Sequence, residues 1–304
     1  HPVPLLQTMR KTVVDGSNTS GFQRTTLVAT DGVLETDGGP VGIDVLCLEE
    51  DSARKLDSEL TTSGEVVTWN LDRLGIPLIE IATAPDIKTP DHAKQTSIAL
   101  GRTLRDTRRV RRGLGSIRQD LNVSIMCGDR VEIKGCQDLE WIPRIIRCEM
   151  ARQLHFYRLA NQLREMHGLP SLPNDRRDES ESIEDQVNKI LPLKLVDVTS
   201  RFTSCNANRV KKGLAEKSVM LALPLPGFSG LIGSKEFDAD GAQMPRLGRE
   251  LAGAAKLAGV AGVYHSDELP AYGIEQEFVD STREALDGCD GFVLCLAPRW
   301  QAEL

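Results

Sequence analysis

Acidic side chains that suit a metal site occur at three places in the first half of the chain. The segment 48–51 (LEED) ends a predicted strand with three adjacent carboxylates, which repel one another unless they are solvated or share a cation. Glu80 interrupts the apolar run 77–83, and Asp120 follows glycines at 113 and 115. Carboxylate oxygens are the ligands that hard divalent cations prefer. Each acid taken singly also fits a solvated surface, so these residues alone leave a metal site and an exposed loop open.

The segment 113–125 (GLGSIRQDLNVSI) combines groups that could bind a nucleotide. Its glycines permit a close approach of the backbone to a ligand, and the Ser116 hydroxyl with nearby N–H groups could hold a phosphate oxygen. Period-two alternation places Arg118, Asp120 and Asn122 on one face of the strand that follows. A cation, an acid and an amide on one face suit a site for a metal-bound nucleotide, although an exposed strand face would carry the same mixture.

Basic side chains add two further candidates. Lys134, in the segment 131–138 (VEIKGCQD), could contact a phosphoryl oxygen as a point charge, or it could pair on the surface with Glu132. A run of arginines precedes the glycines, and it includes Arg108, Arg109, Arg111 and Arg112. Contact with a nucleic-acid phosphate backbone and a solvated helix end favoured by the helix dipole are equally compatible with this run.

Composition excludes several classes of protein. The formal net charge is −7, so any contact with nucleic acid must be local. The seven cysteines include no CxxC pair, which argues against a disulfide framework and a zinc ribbon and favours a reducing, cytoplasmic location. No stretch approaches the roughly 20 apolar residues that span a bilayer, so no membrane partner is expected. HExxH, GxSxG and P-loop motifs are all missing from the sequence.

The first half of the chain is predicted to be rich in strands. Short, β-branched and partly alternating segments predict strands at 25–30, 41–48, 65–70, 77–83, 121–126 and 131–134. Two helices are predicted at 93–107 and 139–166, the first because Thr89, Pro90 and Asp91 form a helix-start signal. These elements predict a first domain over residues 1–166. Because the chain begins with His1 rather than methionine, we expect it to be a piece of a longer protein.

A change of composition marks a second domain. The polar segment 167–185, with two prolines and a cluster of charges, is predicted to be a linker. Strands predicted at 193–198, 219–223, 260–265 and 291–296 then alternate with helices predicted at 205–214, 246–257 and 275–286. This pattern predicts a smaller α/β domain over residues 186–304. The predicted fold class of the whole chain is therefore α+β.

Four segments, taken together and in order, resemble a known family. They are 48–51 (LEED), 75–87 (GIPLIEIATAPDI), 111–125 (RRGLGSIRQDLNVSI) and 132–143 (EIKGCQDLEWIP). The chain resembles the glutamyl-tRNA(Gln) amidotransferase family, closely its archaeal GatE type and more distantly its bacterial and organellar GatB type. The segments 13–25, 197–202, 225–233 and 263–274 resemble the GatE type as well. The resemblance implies a strand-rich cradle domain and a second domain similar to the insertion domain of bacterial-type aspartyl-tRNA synthetases.

The resemblance also implies a reaction and its partners. Enzymes of this family use ATP and Mg²⁺ to phosphorylate the γ-carboxylate of glutamate misattached to tRNA(Gln). Ammonia from a separate, asparaginase-type amidase protein (the GatD type) then displaces the phosphate. By motif, Glu50, Glu80 and Asp120 match the family's catalytic metal ligands. Ser116, Arg118, Asn122 and Lys134 are predicted from their chemistry to bind the nucleotide, and the arginine run 108–112 to bind tRNA.

Two features of the family have no counterpart in this sequence. The earliest motif, which carries a glutamate and a histidine metal ligand, and the C-terminal tRNA-gripping domains are missing. We therefore expect little or no amidation activity from this chain alone. A non-catalytic tRNA-binding or scaffold module is the alternative interpretation. A relative of aspartyl-tRNA synthetase is less favoured, because that similarity is confined to the second domain.

Overall fold

A computed structural model describes residues 1–61, 64–113, 115–175, 185, 187, 191, 194–237, 241 and 243–298. Internal contacts divide the chain into two compact units. The first comprises His1–Leu121 and Ile133–Ile146, and the second comprises Asn122–Glu132 and the chain from Arg147 onward. The division falls earlier than the domain boundary predicted at residue 166. Residues 176–184 of the predicted linker lie outside the described residues, so the extent of the linker stays a prediction.

The first unit is built on a four-stranded antiparallel sheet. Its strand order is β1-β2-β3-β6, and the strands are β1 (Thr8–Thr12), β2 (Phe22–Leu34), β3 (Val41–Glu50) and β6 (Pro77–Thr83). A separate hairpin pairs β4 (Arg54–Thr61) with β5 (Gly64–Asn70). Many side chains of the four-stranded sheet are half-buried or exposed. The sheet therefore presents polar side chains on open faces.

Helix α1 (Pro90–Asp106) begins where the sequence predicts a helix start. The Thr89 hydroxyl accepts a hydrogen bond from the backbone N–H of His92, and Pro90 occupies the first turn. A short hairpin of β7 (Leu121–Val123) and β8 (Val131–Ile133) follows. A turn of 3₁₀ helix at Leu139–Trp141 then leads into α2 (Ile142–Met166). In the first unit, α1 and the start of α2 bury a small apolar cluster of Ala93, Cys136 and Ile142.

The second unit has an antiparallel sheet of its own. Its order is β11-β12-β10-β9, with β9 (Val196–Asp197), β10 (Val219–Pro224), β11 (Gly262–His265) and β12 (Phe292–Ala297). Among the described residues, the part of α2 from Arg147 onward belongs to this unit, together with α3 (Asn208–Ala215), α4 (Leu247–Leu257) and α5 (Gln276–Ala285). A large apolar core includes Phe202, Met220 and Leu294, each completely buried. The rings of Phe202 and Phe278 stack in this core with centroids 5.3 Å apart.

The described elements largely follow the sequence prediction. The prediction of a mixed fold of helices and strands is confirmed, the sheets are found to be antiparallel, and most predicted strands and helices recur with bounds shifted by a few residues. The strand predicted at 121–126 ends at Val123, and β1 and β4 were not predicted. Similarity of the second unit to a synthetase insertion domain stays a prediction. Among the described residues, no helix combines the length and apolarity that crossing a bilayer requires.

Candidate active site

The register between β3 and β6 decides which glutamates meet. Cys47 lies directly opposite Glu80, and Glu50 lies directly opposite Pro77. Side chains that face each other across an antiparallel pair share one face of the sheet, and successive residues alternate between faces. Glu49 therefore lies on the face of Cys47 and Glu80, whereas Glu50 points to the opposite face. The register therefore places Glu49, and not Glu50, on the face of Glu80, and the predicted role of Glu50 as a metal ligand stays a prediction.

Side-chain contacts agree with this assignment of faces. The Thr25 hydroxyl, opposite Glu49 in the sheet, donates a hydrogen bond of 2.7 Å to Oε1 of Glu49. Nζ of Lys11 lies 2.9 Å from the same oxygen. On the other face, Nε of Arg24 lies 2.9 Å from Oε1 of Glu50. Each glutamate thus has its own basic partner, and the two partners lie on different faces.

The Glu49 carboxylate is held in its charged form. Its side chain is only 11% exposed, and this burial acts to raise its pKa. Hydrogen bonds from Thr25 and Lys11, and an interaction with the Glu80 carboxyl, outweigh burial, so the pKa of Glu49 is lowered. The pKa of the neighbouring Cys47 thiol is raised, first by burial and then by the charges of Glu80 and Glu49. This face, which we call the Glu49–Glu80 face, holds two carboxyl groups that interact with each other, with the ammonium of Lys11 beside Glu49.

Asp120, the third predicted ligand, has a different role in the structure. Its Oδ1 accepts a hydrogen bond of 2.9 Å from the backbone N–H of Gly135, and its Oδ2 lies 3.7 Å from Nζ of Lys134. Within the described ranges, no three His, Cys, Asp or Glu side chains lie close enough to hold one metal ion. The predicted ligand set of Glu50, Glu80 and Asp120 is therefore not assembled here. Asp120 instead ties its own segment to the turn after β8.

A buried carboxylate that the sequence analysis did not single out connects the motifs. Asp51, the last residue of LEED, has a side chain only 9% exposed. Its Oδ2 accepts a hydrogen bond of 2.9 Å from Nη2 of Arg118, and its Oδ1 lies 3.9 Å from Nε of Arg73. Its backbone N–H donates to the carbonyl of Ile76, and its carbonyl accepts from Gly75. Asp51 therefore joins three of the four motif segments.

The same network extends to the opening segment 13–25. Nδ2 of the buried Asn18 donates to Oγ of Ser52 over 3.2 Å, and the carbonyl of Ser17 accepts from the backbone N–H of Ala53. Asp15 accepts hydrogen bonds from the backbone N–H and the hydroxyl of Ser17. Buried polar groups that are hydrogen-bonded in this way fix the backbone around them. We call the set Asp15, Ser17, Asn18, Asp51, Ser52, Arg73 and Arg118 the Asp51 network.

The predicted nucleotide-binding residues are spread over the first unit and its boundary. Ser116 is exposed, and its hydroxyl donates a hydrogen bond of 2.6 Å to the carbonyl of Gly113. Arg118 is about half exposed and uses Nη2 for Asp51, so its primary contact is structural. Asn122 and Lys134 are exposed. These positions leave phosphate binding by Ser116, Asn122 and Lys134 a prediction.

The arginine run lies at the end of α1. The side chains of Arg108, Arg109, Arg111 and Arg112 are exposed. In the part of the chain that the structure describes, no acidic side chain pairs with them. Arg108 has a φ of +57°, a left-handed conformation that favours glycine. An unpaired basic surface of this kind can contact phosphates.

The Glu49–Glu80 face has the donor chemistry that Mg²⁺ requires. Mg²⁺ is usually held by one or two carboxylates, with waters and substrate phosphates completing its octahedron. Glu49 and Glu80 supply two carboxylates on one face. Nζ of Lys11 lies 2.9 Å from Oε1 of Glu49, so a metal ion bound here would share this carboxylate with Lys11 or displace it. Two carboxylates of this kind would suit a magnesium ion whose remaining ligands are water and phosphate oxygens.

Comparison with known proteins identifies the family. The model of the GatB/GatE catalytic domain matches residues 3–219 of the chain. The GatE subunit of glutamyl-tRNA(Gln) amidotransferase from Methanocaldococcus jannaschii is 46% identical over 284 residues, which cover 93% of this chain and 40% of that protein. The GatE subunit of Pyrococcus furiosus is 45% identical over 298 residues, covering 97% of this chain and 43% of that protein. The chain belongs to the GatB/GatE family.

The relatives are considerably longer than this chain. The GatE subunit of Methanosarcina barkeri, 44% identical over 290 residues, is covered to 41% of its length. The chain thus spans about two fifths of these three relatives. The family match includes the whole Glu49–Glu80 face and the Asp51 network, and it ends at the start of β10.

Proposed function

We propose that this chain supplies the phosphorylation and amidation site of a glutamyl-tRNA(Gln) amidotransferase. The reaction uses ATP to phosphorylate the γ-carboxylate of glutamate on tRNA(Gln), and ammonia then replaces the phosphate to give glutaminyl-tRNA(Gln). An asparaginase-type amidase protein is the proposed source of the ammonia. The observation that carries the proposal is the pair of carboxylates, Glu49 and Glu80, on one face of the β3–β6 pair.

The proposed roles follow from the contacts of this face. Glu49 and Glu80 would hold Mg²⁺, which when bound neutralises charge on the phosphate oxygens of ATP. Thr25 and Lys11 keep the Glu49 carboxylate charged and oriented. Lys11 also places a cation on the same face, where it can contact a phosphate oxygen. Cys47, whose pKa is raised, stays a neutral thiol between the two acids.

The loop 113–120 is proposed to lie against the nucleotide. Asp51 fixes this loop through Arg118, and Asp120 fixes its far end through Gly135. With the segment held at Arg118 and Asp120, the neighbouring glycines and Ser116 can present backbone and hydroxyl groups to a phosphate at a reduced entropic cost. The arginine run 108–112 is proposed to contact the phosphate backbone of the tRNA.

Substitutions on opposite faces of β3 test the proposal. In the complete protein assembled with its amidase partner, Glu49→Gln and Glu80→Gln should each lower ATP-dependent formation of glutaminyl-tRNA(Gln) by about a hundredfold or more. The same variants should bind tRNA(Gln) within about twofold of the parent, because neither carboxylate faces a phosphate backbone in the proposal. Rates are measured by glutaminyl-tRNA formation and by phosphate release that depends on glutamyl-tRNA.

Glu50→Gln is the matched control, because Glu50 is adjacent in sequence and lies on the opposite face. It weakens a partly exposed ion pair with Arg24 and a hydrogen bond of 3.3 Å from the Arg24 backbone N–H, so its rate should stay within about threefold of the parent. Equal losses in Glu50→Gln and Glu80→Gln would contradict the assignment of faces. Unchanged amidation in both Glu49→Gln and Glu80→Gln, combined with weaker tRNA binding, would instead favour a non-catalytic tRNA-binding module.

A further inference from the structure

Helix α3 of the second unit carries a basic surface that the proposed active site does not use. Four basic side chains lie on the exposed side of this helix and at its end: Arg209, Lys211, Lys212 and Lys217. Val210 and Gly213 form the opposite, buried side. The segment 208–217 contains four bases and one acid in a chain whose net charge is −7. The positive charge is therefore concentrated locally.

These bases are largely free of acidic partners. Nζ of Lys212 lies 3.9 Å from Oε1 of Glu216, a distance typical of a weak surface ion pair. Arg209, Lys211 and Lys217 form no ion pair with any described residue. Solvated helix faces normally mix the two signs of charge, as α5 of the same unit does with Glu277, Asp280 and Arg283. An unmixed basic face attracts phosphates.

The end of α3 adds an independent observation. The backbone N–H of Lys217 donates to the carbonyl of Leu214, and that of Ser218 donates to the carbonyl of Gly213. This is a Schellman motif, in which the residue at the position of Lys217 is usually glycine. Lys217 has a φ of +65°, so it accepts a left-handed conformation that costs a non-glycine residue free energy. Glycine would suit this left-handed position better than lysine, so Lys217→Gly can remove the charge without a cost to the backbone.

We propose that the α3 basic surface (Arg209, Lys211, Lys212 and Lys217) binds the phosphate backbone of the tRNA substrate. The inference rests on the proposed function, in which tRNA is the substrate, and assigns the second unit a part in holding it. Phosphate contacts of this kind are independent of nucleotide sequence. Each contact also releases condensed counterions, so its loss weakens binding and flattens the dependence on salt.

A single substitution separates the structural from the binding role of Lys217. Lys217→Gly relieves the left-handed strain and removes the charge. In the complete protein assembled with its amidase partner, it should leave the Tm unchanged or raise it by about 1–2 °C. The affinity for a tRNA(Gln) transcript should fall about threefold, and the slope of log K against log salt should decrease by about 1. In the combined variant Arg209→Gln/Lys211→Gln/Lys217→Gly, the affinity for the tRNA(Gln) transcript should fall more than about tenfold.

Asp287→Gly is the matched control at the end of α5. Asp287 is exposed, has a φ of +52° and ends its helix with the same pair of backbone hydrogen bonds. This variant should gain as much in Tm and bind tRNA no more weakly than the parent. Parent affinity and salt slope in both α3 variants would overturn the proposal. The proposal would also be overturned if the α3 variants lost binding to the amidase partner and kept the tRNA affinity of the parent. The α3 basic surface would then bind an acidic protein rather than tRNA. If Glu80→Gln left amidation unchanged, the proposed function would fail, but the tRNA affinities of the α3 variants would still test the α3 basic surface.

Discussion

The second unit has a large core of apolar side chains, whereas the first unit contains the Asp51 network, in which polar side chains are buried. Phe202, Phe292 and Leu294 of the second unit are completely buried in one apolar cluster. In the first unit, Asn18 and Asp51 are almost as inaccessible, and each is hydrogen-bonded within the Asp51 network. Apolar burial is non-directional, whereas a hydrogen-bonded polar network fixes geometry. The proposed chemistry lies in the unit that contains the Asp51 network.

The comparison also explains why the sheet of the first unit can carry charged groups. Its strands are half-buried on both sides, so Glu49, Glu80 and Lys11 keep contact with solvent and with each other. A sheet covered by an apolar core on one face, as in the second unit, would bury such groups at a high cost in free energy. The second unit accordingly presents charge on its helices.

Removal of an aromatic ring from the second core should have the largest effect on stability. Phe202→Ala removes a completely buried side chain and its stacking contact with Phe278, and should lower the free energy of unfolding by about 3–5 kcal/mol. Ile81→Ala, on the half-buried strand β6 of the first unit, should cost only about 1–2 kcal/mol. Urea unfolding, with hydrogen exchange assigned to each unit, measures both. Equal decreases in the free energy of unfolding for Phe202→Ala and Ile81→Ala would contradict the stated difference between a fully buried core and a half-buried strand.

Loss of the Asp51 charge should have a smaller effect, concentrated in the first unit. Asp51→Asn leaves the Arg118 guanidinium without its buried partner, and should cost about 1–3 kcal/mol. Hydrogen exchange should accelerate at Cys136, whose backbone N–H donates to the carbonyl of Gln119. Glu140→Gln removes an exposed ion pair with Lys94 in the same unit and should cost less than about 0.5 kcal/mol. If Asp51→Asn and Glu140→Gln lowered the free energy of unfolding by similar amounts, the Asp51 network would contribute no more stability than an exposed ion pair.

The elements of the fold were predictable where side chains alternate or repeat with a clear period. Strands β2, β3 and β6 and helix α1 follow from β-branched alternation and from the helix-start signal at Thr89. Strand β1 (TMRKT) was missed because all five of its side chains are exposed. No apolar period then marks the strand, and only pairing with β2 stabilises it.

The candidate site was predictable only in part, because a site depends on register. Alternation predicts that Glu49 and Glu50 lie on opposite faces of β3. Which of them shares a face with Glu80 depends on the pairing of β3 with β6, and a shift of one residue would exchange them. Motif matching predicts Glu50 as a ligand, and the register places Glu49 on the face of Glu80. Asp51 was passed over because its partner Arg118 is 67 residues away in the chain, and one sequence contains no signal for such a contact.

The smallest expected effect concerns the pH dependence of stability, which should differ between the two units. His265 of the second unit is buried, and its Nδ1 has no hydrogen-bond partner among the described residues. Burial lowers its pKa, an effect increased by Arg246 and opposed by Glu268 and Asp267. The unfolded chain therefore binds a proton that the folded unit does not, so stability of the second unit should fall as the pH drops below about 6.5.

In the first unit, the lowered pKa of Glu49 contributes stability that is present above about pH 4.5 and is lost only below it. Between pH 6.5 and 5, the urea midpoint should therefore decrease for the second unit alone. His265→Gln should remove this slope while leaving the acid unfolding of the first unit unchanged. A slope that persists in His265→Gln would place the titrating group elsewhere, because no proton could then be taken up at position 265 on unfolding.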